Sequence, residues 1–265
     1  MSTLATALAL ESMGPNEWRG RADPAYVAAV GMYGGFTAAQ LLYAITQEPA
    51  AQAQGQPSAL TVHFLNRIEP GAELTFRTRT LPSVSKSHGF WQVEVFQAGQ
   101  DMAAAAATVI LTTRREGKGF SDMPAPKAPP PEDLEPFQPP FPYAERTIKY
   151  FAQGFPPFNR ENTYSLGWSR ETSGRAVDAV QLAFLADNFP PRIWFTGADL
   201  RPSATMVFSL FILATPEELA AIGDDAVLME VTGTRGAECL NGTRIGMWSR
   251  SGVPLATSEQ LNWYK

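Results

Sequence analysis

The residues best placed to do chemistry lie in the second half of the chain. The stretch Ala176-Val-Asp-Ala-Val-Gln-Leu-Ala-Phe-Leu-Ala-Asp187-Asn188 reads as a helix that is apolar on nearly every side, and such a helix belongs in an interior. It ends on an acid. A carboxylate at the end of a buried helix costs free energy unless hydrogen bonds compensate, and desolvation raises its pKa toward the range of a useful base. Asp187 is therefore the first candidate catalyst. The same two residues, Asp187 and Asn188, would also suit a plain helix terminus, where both types tolerate turn geometry.

A second candidate feature opens the other long helix. Gly31-Met-Tyr-Gly34-Gly35-Phe36-Thr-Ala-Ala-Gln40 is glycine-rich and then strongly helix-favouring from Thr37. The paired glycines would let a backbone or a partial negative charge approach the helix N-terminus, or would only permit tight strand-to-helix packing. Of the two histidines, His63 falls in a period-two stretch beside Val62 and Phe64, and His88 falls in a polar turn with Lys86 and Ser87. Lys86, Arg77 and Arg79 are the cations that could meet phosphates.

The elements that must position these groups follow from periodicity. A short helix is expected over 3–13, a brief strand at 17–20, and strands from Ser58, over Leu74–Leu81, over Phe90–Gln97 and from Met102 to Thr113, separated by turn signals. Nine prolines between Pro124 and Pro142 preclude helix or central strand and predict an extended surface linker. Beyond it the outline recurs: a strand over 162–170, the helix ending at Asp187, then strands beginning near Pro202-Ser203, Val227, Gly242 and Leu255. Ser58-Ala59 matches Ser203-Ala204, and Gln97-Ala-Gly99 matches Arg250-Ser-Gly252. This implies a divergent tandem duplication of two like domains, over 1–118 and 146–265, joined by a linker at 119–145.

Composition narrows the function. The chain has 265 residues, 45% hydrophobic and 18% charged, with net charge -5 and pI near 5.2. No concentrated basic surface exists for nucleic acid. One cysteine, Cys239, gives no internal disulfide, and two histidines make an imidazole-based metal centre unexpected. No apolar run is long enough to span a membrane, and the first ten residues lack the pattern of a secretory signal. The expectation is a soluble cytoplasmic protein without a metal or cofactor. No nucleophile elbow, P-loop or dinucleotide fingerprint is present.

This order of elements resembles the hotdog fold, an α+β unit in which an antiparallel sheet wraps a long central helix, present twice in tandem. In detail the chain resembles the acyl-CoA thioesterase II, or TesB-like, family. The resemblance rests on Gly31–Gln40, on Ser58–Leu65 with Pro70-Gly71, on Lys86-Ser87 before the Phe90 strand, on Leu185-Ala-Asp187, on Pro202-Ser203, and on Gly252–Gln260. It implies hydrolysis of a fatty acyl-CoA by a water held among an Asp, a Gln and a hydroxyl. By position these are Asp187, Gln260 and Ser203, with Thr205 as the alternative hydroxyl on the same strand face. Backbone N–H groups at Gly34-Gly35 or in the turn at 174–176 would stabilise the oxyanion. Phe36 stands where the family has a Gln, which implies that the first hotdog is structural or shapes an acyl tunnel. With Gly34, Gly35, Phe36, His63 and Lys86 as substrate contacts, the expected assembly is a homodimer. A hotdog hydratase, or a non-catalytic acyl-CoA or lipid-binding protein, are the alternatives.

Overall fold

A computed structural model describes residues 3–85, 87–154, 160–197 and 200–265. In chain order the elements are α1 (Leu4–Ala7), β1 (Glu11–Gly14), β2 (Glu17–Arg21), α2 (Gly34–Gln47), α3 (Pro49–Gln52), β3 (Gln56–Phe64), β4 (Glu73–Thr80), β5 (His88–Gln97) and β6 (Ala103–Thr112). The second half adds β7 (Pro136–Phe137), β8 (Thr147–Gln153), β9 (Ser165–Glu171), α4 (Ala179–Leu185), β10 (Ser203–Ile212), α5 (Pro216–Ala220), β11 (Val227–Ala237), β12 (Leu240–Trp248) and β13 (Pro254–Tyr264).

Among the described residues, period-two alternation becomes one antiparallel sheet of 13 strands, in the order β1-β2-β4-β5-β6-β3-β10-β13-β12-β11-β9-β8-β7. Every second residue of β5 is buried, and the Ala103–Ala107 run is strand, as its place after a hairpin turn requires. Each half of the sheet packs its apolar face on a helix, α2 in the first half and α4 in the second, which gives two tandem hotdogs. The halves join where β3 pairs with β10. The sequence match of Ser58 with Ser203 makes Val62 equivalent to Val207 and His63 to Phe208. The observed pairs are Val62 with Phe208 and His63 with Val207, the register that a local two-fold axis requires.

Two boundaries differ from the sequence reading. The N-terminal helix covers only Leu4–Ala7, and Glu11–Gly14 forms an edge strand instead. The helix before Asp187 starts late, at Ala179, because Asp178 caps it by accepting from the Gln181 N–H.

The proline-rich segment does run extended over the sheet, but it also covers a second apolar cluster. Met123, Ala125, Ala128 and Leu134 pack on Leu166, Trp168, Leu228 and Trp248. Two buried indoles find their acceptors in its backbone: Trp168 Nε1 donates to Pro129 O at 2.7 Å and Trp248 Nε1 to Met123 O at 3.0 Å. Without this strap the outer face of the second sheet would expose two tryptophans.

Candidate active site

The N-terminus of α2 meets the C-terminus of α4, and Asp187 sits at that junction. Glycine makes the approach possible. A Cβ on Gly35 would lie 2.4 Å from the Phe184 carbonyl oxygen, and one on Gly34 would lie 2.7 Å from Asp187 Oδ2. The close-packing and charge-approach readings of the paired glycines thus hold together, with a helix, and not a strand, as the packing partner.

Both oxygens of the Asp187 carboxylate are held. The Gly35 N–H donates to Oδ2 at 3.0 Å, and Gln260 Nε2 donates to Oδ1 at 3.0 Å. The acid comes from the end of α4, the amide from β13 and the N–H from the first half, so the site crosses the duplication. Burial pushes the Asp187 pKa up to about 7, against the opposing pull of the Gln260 and Gly35 hydrogen bonds. A base with its pKa near neutrality combines a useful ionised fraction with useful basicity.

A polar and aromatic backing fixes this arrangement. Tyr33, the residue before α2, donates its hydroxyl to Phe184 O at 2.6 Å and stacks on Tyr143 at 4.5 Å between ring centroids. Asn188 is buried; its Oδ1 accepts from Thr147 Oγ1 and its Nδ2 donates to Ser169 Oγ, which ties the end of α4 to β8 and β9. Lys149 lies 5.0 Å from the Tyr143 ring centroid, and burial lowers its pKa to about 7.

Asp187 and Gln260 open on a cavity of about 660 Å³, lined from both halves and from the proline-rich segment. Phe64, Ile68, Phe137, Phe141, Tyr143, Met206 and Ile245 contribute to its largely apolar wall. Such a space, apolar with a few convergent polar groups, suits a small ligand with a long apolar part.

The sequence candidates are placed unequally. Gly34, Ser203 and Thr205 line the cavity with Asp187 and Gln260, and Gly35 reaches the acid through its N–H. Strand register orders the hydroxyls. Gln260 pairs with Phe208 on β10, Asn262 with Thr205 and Tyr264 with Ser203. Thr205 is therefore one pair row from Gln260 on that face and Ser203 two rows, about 7 Å and about 13 Å along the strand. The Thr205 hydroxyl donates to Asn262 Oδ1 at 2.8 Å.

Phe36 does not line the cavity. It is fully buried and stacks on Tyr26 at 4.2 Å, because the helix turns that position toward the core of the first hotdog. His63 is exposed on β3 beyond the cavity lining, since alternation turns its neighbours Val62 and Phe64 inward. The turn at 174–176 also lies outside the cavity lining. Lys86 falls outside the described residues. Arg77 lies by Glu17 and Arg79 hydrogen-bonds Gln92, both away from the cavity, whose own cations are Arg67 and Arg192. Arg192 spends its N–H groups on Pro190 O, Thr163 O and Ser165 Oγ.

Sequence reasoning missed Thr243 and Asn262. Thr243 on β12 stands directly opposite Gln260, and both side chains line the cavity. Alternation could have put each on the inward face, but only strand pairing sets them beside Gln260. Among the described residues no three His, Cys, Asp or Glu side chains group to hold a metal, and no helix is long and apolar enough to cross a membrane.

Two family models match the chain. One, the acyl-CoA thioesterase N-terminal domain, covers residues 23–112, and the other, the acyl-CoA thioesterase C-terminal domain, covers residues 121–264, more than half of the sequence. The chain belongs to the acyl-CoA thioesterase family. The C-terminal model begins inside the proline-rich segment, in keeping with the packing of that segment on the second sheet.

Solved structures show the same architecture. A conserved hot dog fold protein of unknown function from Alicyclobacillus acidocaldarius is 27% identical, with a TM-score of 0.92 over 99% of this chain and 97% of the other. A tesB protein from Mycobacterium avium subspecies paratuberculosis is 18% identical, with a TM-score of 0.79 over 99% and 98%. An acyl-CoA thioesterase II, TesB2, from Mycobacterium marinum is 17% identical, with a TM-score of 0.77 over 99% and 96%. No curated protein sequence matches the chain.

Proposed function

We propose that the protein hydrolyses the thioester of a fatty acyl-CoA, with Asp187 as the base that activates water. The observation that carries this reading is the Asp187 carboxylate, held by Gly35 N–H and Gln260 Nε2 at the edge of a 660 Å³ apolar cavity, with its pKa raised to about 7. Because Gln260 gives its Nε2 to the acid, its Oε1 is left to accept from a water. A water that donates to both Asp187 and Gln260 Oε1 directs a lone pair at a carbonyl carbon laid over it. Attack transfers the water's proton to Asp187 and forms the tetrahedral oxyanion. Collapse breaks the C–S bond, and the proton passes to the departing sulfur, giving free acid and CoA thiol.

The oxyanion needs a donor, and the Gly35 N–H is already engaged by Asp187. The Gly34 N–H, at the same positive helix end and lining the cavity, fills that role in this reading. Of the two candidate hydroxyls Thr205 is nearer to Gln260 in register than Ser203, and it backs the site by donating to Asn262 Oδ1. Arg67, whose side chain is 62% exposed and which lines the cavity, joins Lys86 as a cation we assign to the CoA phosphates. The domain division is read as two hotdogs joined by residues 119–145. Phe211, Leu213 and Leu261 are 41–46% exposed, which supports association as a homodimer.

The test is thiol release from a panel of saturated acyl-CoAs of graded length, with mass detected by size-exclusion light scattering. Steady release for at least one chain length is expected. Tight binding without release would favour the acyl-CoA-binding alternative, and water addition to enoyl-CoA without release would favour the hydratase.

A further inference from the structure

The cavity wall just beyond Gln260 is polar. Strand pairing sets Thr243 across from Gln260, and sets Asn241 and Thr205 on either side of Asn262. Paired residues in antiparallel strands share a face, so all five side chains project to one side of the sheet. Three of them form a short network: Thr205 Oγ1 donates to Asn262 Oδ1 at 2.8 Å, and Asn262 Nδ2 donates to Thr243 Oγ1 at 3.4 Å.

The network is incomplete. Thr243 and Asn262, which line the cavity, are only 6% and 8% exposed. Thr243 Oγ1 accepts from Asn262 and still has its own proton to give, and Asn262 Nδ2 has a second N–H. Buried donors are almost always paired, so these two spare donors on the cavity wall call for an oxygen that the protein itself does not provide.

We propose that this wall reads an oxygen substituent, a hydroxyl or oxo group, on one of the first few carbons of the acyl chain, with Thr243 and Asn262 as the specificity-determining residues. The proposal rests on the thioesterase reading above, which places the thioester at Gln260. Asn262 lies two residues further along β13, about 7 Å, and Thr243 faces Gln260 itself, so the donors lie alongside the carbons nearest the carbonyl. A plain alkyl chain on this wall would seal the donors away from water without pairing them. A site built to pair a substrate oxygen discriminates against the analogue that lacks it.

The test compares kcat/KM for 3-hydroxydecanoyl-CoA, 5-hydroxydecanoyl-CoA and decanoyl-CoA. At least one hydroxy ester is expected to be preferred by tenfold or more. Asn262→Leu and Thr243→Val should each bring that ratio to within about threefold of one, with folding checked by thermal unfolding. If Asn262→Leu does not fold, Thr243→Val decides the question. Wild-type ratios near one, or a preference kept in the folded variants, would overturn the proposal. If no ester is hydrolysed, the thioesterase reading fails separately, and calorimetric affinities for the same three esters decide the matter. Tighter binding of a hydroxy ester, lost in the variants, supports the proposal, and equal binding overturns it.

Discussion

Replacing Asp187 by Asn keeps the shape of the site and removes its base. In the wild type the carboxylate accepts from two donors, Gly35 N–H and Gln260 Nε2. The variant's amide offers one oxygen and one NH2 group, so rotation of the Gln260 amide, turning its Oε1 toward the new donor, restores both hydrogen bonds. Loss of a positioned general base costs about 10²- to 10⁴-fold in kcat. Stability should move the other way. The Asp187 pKa rises from an ordinary 3.8 to about 7 in the folded state. Because the neutral form is favoured by folding, this group's contribution is present in full below about pH 4 and is gone once the pH has risen through about 7. Between pH 5.5 and pH 8 the wild type therefore loses about 2 kcal/mol that the variant, having nothing to titrate there, does not. Urea unfolding of both proteins at the two pH values reads this difference, and thiol release reads the activity. Activity within tenfold of wild type would refute the catalytic assignment. A stability difference that is the same at both pH values would refute the raised pKa.

Two further predictions probe the same junction. Gln260→Leu removes a hydrogen bond that holds the Asp187 pKa down. The acid limb of the kcat/KM profile, expected near pH 7 in the wild type, should move to higher pH, and an unmoved or lowered inflection would contradict the geometry. Gly34→Ala sets a Cβ against Asp187 Oδ2 and should cut kcat with little change in unfolding midpoint, since Ala favours the helix. Gly35→Ala instead presses on the Phe184 carbonyl and the Tyr33 ring, and should cost about 3 kcal/mol in denaturant unfolding. Equal effects from the two substitutions would show that the two Cβ positions do not separate activity from stability.

Much of this molecule was legible in its sequence because the signals are local. Alternating hydrophobicity specified the strands, a helix apolar on all sides had to be buried, and the Ser58-Ala59 and Ser203-Ala204 match announced a duplication. Asp187 stood out for one physical reason, a carboxylate at the end of a buried helix. What the sequence left open depended on which distant segments meet. The packing and the charge readings of Gly34-Gly35 were both available, and only the contact with α4 showed that Gly34 leaves room for the Asp187 carboxylate while Gly35 packs on Phe184 and also donates to the acid. Phe36 and His63 were candidates by proximity to motifs, but helix phase and strand alternation turn them away from the cavity. The proline-rich segment carried no periodicity to reveal that it would cover two tryptophans. Thr243 and Asn262 are ordinary strand residues until pairing across β10, β12 and β13 sets them beside Gln260. Periodicity fixes which way a side chain faces, because it is a property of neighbouring residues. Which groups share a site follows from register and packing between segments far apart in the chain, and that the tertiary structure alone decided.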